Sequence, residues 1–143
     1  MRPVKNQNER MNGYLMQEVE ITPGEDNFIE SFSPESQYGV IFEDDGETGY
    51  FYAVEKEKEG AGVRILDALH IYEDESIGKS RSKLMMVWSR DWMKCALVLD
   101  GYCHAIFDFI AQGGYSINEF PPPNEIWTKG ERKLTNELIK SLF

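Results

Sequence analysis

The sequence predicts a mainly β domain of the α+β class, an antiparallel meander of six to seven strands with one C-terminal helix packed on a face. A closed β-barrel or a two-layer sandwich is the alternative arrangement of the same strands. Three observations carry this. Residues Lys94 to Ile110, KCALVLDGYCHAIFDFI, are two apolar runs around Asp100-Gly101, a dipeptide suited to a two-residue turn with positive φ. A second Asp-Gly pair, Asp45-Gly46, joins two aromatic and β-branched runs. Aromatics make up 13% of the 143 residues, a share that favours strands, and helical periodicity is clear only near the C-terminus.

Taken in order, residues 1–13 are polar and read as a flexible tail, with 14–143 as one globular domain. Tyr14 to Ile21 alternates, with Leu15, Gln17, Val19 and Ile21 on one side, and stops at Pro23-Gly24. Phe28, Glu30 and Phe32 suit a short edge segment. Tyr38–Glu43 and Gly49–Glu55 form a hairpin; a tight Asp45-Gly46 turn sets Ile41 opposite Tyr50 and Val40 opposite Phe51. Val63 to Tyr72 reads as a long strand with Val63, Ile65, Asp67, Leu69 and Ile71 on one side, in preference to the short helix that the spacing of Leu66, Leu69 and His70 also allows. Leu84 to Ser89 turns at Arg90–Trp92, which sets Trp88 beside Cys95 and Met86 beside Leu97, although Trp92 is a poor residue for positive φ.

In the central hairpin a regular register pairs Leu99 with Tyr102, Val98 with Cys103, Leu97 with His104, Ala96 with Ala105, Cys95 with Ile106 and Lys94 with Phe107. Its two cysteines then point to opposite faces as free, buried thiols, which fits a reducing compartment. Phe120-Pro121-Pro122-Pro123 suits a surface loop anchored by Trp127. Thr128 to Phe143 is the expected helix, with Thr128 and Glu131 as a capping box and Leu134, Leu138, Ile139 and Leu142 as its apolar stripe.

FEDDGETGYFYA (Phe42–Ala53) and ILDALHIY (Ile65–Tyr72), followed by a tryptophan strand, an Asp-Gly hairpin and an FPP loop, resemble an uncharacterised bacterial family, domain-of-unknown-function family 2251. The resemblance spans Phe28 to Trp127 and implies a bacterial, cytoplasmic protein. It brings no activity, substrate or catalytic residue. Trp92 departs from it, standing where the family pattern favours a glycine turn.

Charge narrows the function classes. The formal net charge is −10, and residues 15–75 hold 17 acidic against 3 basic residues. Nucleic acid and anionic membrane are disfavoured partners, since both need clustered positive charge. A basic protein partner is favoured electrostatically, and an immunity or antitoxin-type inhibitor of a cationic toxin is one biological form of such a binder. Glu43, Asp44, Asp45 and Glu47 are the partner-binding candidates. Their spacing does not match an EF-hand, the cysteines lack zinc spacing, and no phosphate loop is present, so neither a metal nor a cofactor is expected. No apolar leader or spanning segment is visible, which gives a cytoplasmic expectation. Exposed strand edges would support a homodimer.

The alternative is a hydrolase-like enzyme or small-ligand binder using Asp67, His70, His104 and Asp108, because imidazole titrates near neutrality and a carboxylate fixes its tautomer. It requires the long strand to pair near the central hairpin. Burying Asp67 or Asp108 is costly unless the carboxylate is paired, and Arg64 or Arg81 could neutralise one of them. Tyr50, Tyr52, Tyr72, Trp88 and Trp92 suit a ligand-lining face or, more simply, a sheet face covered by the C-terminal helix. Binding is preferred to catalysis.

Overall fold

A computed structural model describes residues 11–73 and 80–143. Most of the expected tail, and residues 74–75 of the acidic segment, lie outside the described residues. The chain forms β1 (Gly13–Ile21), β2 (Asn27–Phe32), β3 (Tyr38–Asp44), β4 (Thr48–Lys56), β5 (Val63–Glu73), β6 (Ser82–Ser89), β7 (Lys94–Leu99), β8 (Tyr102–Asp108), β9 (Gly113–Ser116) and α1 (Asn136–Leu142). These make two antiparallel sheets, β2-β3-β4-β5 and β1-β6-β7-β8-β9. Meandering holds within each sheet, and among the described residues no closed barrel forms. The exception to chain order is β1, which pairs with β6 from Gly13↔Ser89 to Ile21↔Ser82. After it, a turn closed by Glu25 N–H to Thr22 O, with Gly24 at φ 94°, redirects the chain into the other sheet.

The core lies between the sheets. Phe42, Phe51 and Leu69 from one meet Met86, Leu97 and Phe107 from the other, all fully buried. Each such side chain contributes about 1.5–3 kcal/mol by leaving water. Phe51 and Phe107 stack across the gap at 5.1 Å. The Trp88 indole N–H donates to Ser31 Oγ at 2.9 Å, so the largest buried ring also ties the sheets together.

Asp100 and Gly101 adopt φ 51° and 83°, the positive pair of a type I′ turn. Leu99↔Tyr102 and Val98↔Cys103 pair as expected, but the register then slips to Leu97↔Ala105, Ala96↔Ile106, Cys95↔Phe107 and Lys94↔Asp108. The extra residue is His104, a β-bulge. It reassigns the faces: Ala105, Phe107 and Phe109 join Cys95 and Leu97 in the inter-sheet core, while Cys103 and Ile106 turn with Ala96 to the outside. Both thiols are free and buried, in different clusters. In the β3–β4 hairpin the register is Ile41↔Tyr52 and Val40↔Ala53, two residues from expectation. The cause is a wider turn in which Asp45 Oδ1 accepts the N–H groups of Glu47 and Thr48. Trp88↔Cys95 and Met86↔Leu97 pair as expected. Trp92 takes φ 61° and stacks on Tyr14 at 4.6 Å.

The helix is shorter than the periodicity predicts. It begins after Thr135, whose Oγ1 accepts from Leu138 N–H at 3.1 Å, so Thr128 is not its cap. Before it, Ser116 N–H donates to Arg132 O and Lys133 bridges Ser116, which holds that stretch extended. Ile139, with Leu134 and Leu142, packs on Ala96, Cys103 and Ile106 of the five-stranded sheet. The helix therefore does not cover the tyrosine face. Trp88 and Tyr72 are core residues, whereas Tyr50 and Tyr52 stand on the outer face of the other sheet, away from the face that packs on the core.

Candidate functional site

The most connected polar group is Asp67 of β5, which alternation turns inward with Leu69 and Ile71. Its cation is Arg132, not Arg64 or Arg81. Arg132 Nη2 donates to Asp67 Oδ1 at 2.8 Å and Nη1 to Oδ2 at 2.9 Å, with both side chains almost fully buried. Thr128 Oγ1 donates to Oδ2, and Ala68 N–H to Oδ1 at 2.9 Å. The guanidinium also reaches Gly114 O at 3.1 Å and Pro121 O at 2.5 Å. Arg64 instead pairs with Glu55, and Arg81 with Glu20, at the surface. A bidentate pair of this kind ties its own segment to β5, β9 and the Pro121 loop rather than offering a reactive carboxylate.

The other acid–base candidates have separate partners. His70 projects to the face of β5 opposite Asp67, where its Nδ1 meets Asn118 Nδ2 at 2.8 Å and its ring lies edge-on to Tyr50 and Phe120. His104, at the β8 bulge, has Nδ1 2.9 Å from Tyr102 O. Burial lowers its pKa, against the opposing effects of Tyr102 O and Asp100. Asp108 Oδ1 accepts Ile110 and Ala111 N–H at 3.1 Å each, capping the turn after β8. Among the described residues, no group of three or more His, Cys, Asp or Glu is placed to hold a metal ion.

At the β3–β4 tip the four acids divide. Asp44 is 1% exposed; its carboxylate accepts from Gly24 N–H, Gly46 N–H and the Tyr72 hydroxyl at 2.9, 2.8 and 2.5 Å, and holds the tip onto the β1–β2 turn. Asp45 and Glu47 are exposed and Glu43 half-buried. The N–H groups of Thr48 and then Glu47 keep the Asp45 carboxyl below its usual pKa.

Register places Glu43 in a row across the outer face of the four-stranded sheet, Phe28↔Glu43↔Tyr50↔His70. Beside it runs Glu30↔Ile41↔Tyr52↔Ala68. Tyr50 and Tyr52 stack at 5.9 Å, and Phe28 is 61% exposed. An open depression of about 460 Å³ lies where this face meets the tip, lined by Asp26, Asn27, Phe28, Glu43, Asp44 and Asp45. The alternation of Phe28, Glu30 and Phe32 was visible in the sequence. Their alignment with the tyrosines depends on register across four strands.

Fold and site thus define a two-sheet antiparallel β domain with a buried Asp–Arg pair and an acidic, aromatic outer face. The chain belongs to the family described as an uncharacterized protein conserved in bacteria (DUF2251), whose profile matches residues 21–143. It is similar to an uncharacterized protein of Haemophilus influenzae, 38% identical over 104 residues, a match covering 70% of this chain and 62% of that relative. No solved structure matches the chain. Among the described residues, no helix is long and apolar enough to cross a membrane.

Proposed function

We propose that this chain is a cytoplasmic binding protein that captures a basic protein partner, with an immunity or antitoxin-type inhibitor as its biological form. The observation that carries the reading is the concentration of charge: 17 acidic against 3 basic residues between 15 and 75, with Asp45 and Glu47 exposed at the hairpin tip. A field of one sign raises the encounter rate with an oppositely charged protein and falls with salt. Asp44 supports the tip rather than meeting the partner. The acid–base alternative needs groups that converge, and Asp67, His70, His104 and Asp108 are each engaged elsewhere.

The test uses cationic proteins encoded beside this gene, with association rates measured at low and high ionic strength. Replacing Glu43 and Glu47 by Gln and Asp45 by Asn together should slow association and flatten its salt dependence. Unchanged rates would sink the reading.

A further inference from the structure

The outer face of the four-stranded sheet joins the acidic tip to exposed aromatic rings. Phe28 flanks the depression that Asp26, Glu43 and Asp45 line, and Tyr50 follows Glu43 in the same row. Among the described residues, Glu43 and Asp26 have no cationic partner. The carboxylates would repel both nucleic acid and a second copy of this acidic chain, which leaves a cation as the matching occupant. The far end of the face already shows the pairing internally. Lys56 Nζ lies 4.8 Å from the centroid of the Phe32 ring.

Resting on the reading above, we infer that this face binds arginine side chains of an extended basic segment, one guanidinium entering the depression between Phe28 and the Asp26, Glu43 and Asp45 carboxylates. Arginine suits the site better than lysine. A planar guanidinium can stack on a ring while its fork of N–H donors meets carboxylates, whereas an ammonium is a compact, strongly hydrated charge.

The probes are an arginine homopeptide and a lysine homopeptide of equal length, titrated calorimetrically into the full chain. The arginine peptide should bind more tightly. Phe28→Ser with Tyr50→Leu should weaken it about five- to tenfold, the scale of one or two cation–π contacts, and erase the preference over lysine. The same variant should keep its far-UV circular dichroism. Glu43→Gln with Asp45→Asn should weaken both peptides. Equal affinity for the two peptides, or a Phe28/Tyr50 variant that binds as the parent does, overturns the arginine site while leaving a charge-based partner possible. If the Glu43/Asp45 variant loses nothing, the site fails together with the charge-based reading.

Discussion

Arg132 distributes its N–H donors over both oxygens of Asp67 and the carbonyls of Gly114 and Pro121. Lysine cannot reproduce this planar fork, and removal of either partner strands a buried charge. Arg132→Met should destabilise the protein by about 3–5 kcal/mol, measured by urea denaturation. Asp67→Leu alone should be similarly harmful. The double variant should cost clearly less than the two single losses added, because neither charge then remains buried alone. Additive losses would mean that the carbonyl contacts, not the ion pair, dominate.

At the scale of elements, local chemistry was legible and long-range competition was not. The Asp100-Gly101 turn requires only two residues able to take positive φ, so its hairpin could be read directly. The bulge at His104 was hidden because Cys103, Ala105 and Ile106 can each face a core; only packing between the sheets selects Ala105 and Phe107. Pairing of β1 with β6 was hidden likewise, since half-exposed alternation names a strand but not its neighbour. Thr128 and Glu131 satisfy the local pattern of a capping box, worth about 1 kcal/mol. Thr128 instead donates to Asp67 and accepts from Gly114 N–H at 3.1 Å, and a buried carboxylate left without donors costs more than a cap returns. Arg132 escaped notice for the same reason: no local pattern marks an arginine whose partner lies 65 residues away. The candidate site was legible as residue types, and its rows appeared only with register. These assignments separate the two candidate caps by experiment. Thr135→Ala should cost about 1 kcal/mol, whereas exposed Glu131→Ala should leave the urea midpoint unchanged; a loss at Glu131 would restore the capping box.

Across the whole molecule, proton linkage should confine maximal stability to a neutral window. On the acid side, burial holds His104 below its usual 6.5. The unfolded chain therefore takes up the proton first, and stability falls as pH drops below about 6.5. On the alkaline side, burial pushes the Cys103 thiol up to about 12 and Cys95 well above 9.0. The unfolded chain then loses those protons first, so stability falls as pH rises above about 9. Burial raises the Tyr52 and Tyr115 phenols too, each helped by a neighbouring carboxylate, Glu43 and Asp108 respectively. A competing effect acts on the acid side, because protonating surface carboxylates relieves the repulsion within a chain of net charge −10. The comparison that isolates each limb is between parent and variant. His104→Gln should flatten the fall below about pH 6.5, and Cys103→Ala the fall above about pH 9, in urea midpoints measured across the range. If the parent and His104→Gln profiles run parallel through the acid limb, the bulged histidine carries no linked proton.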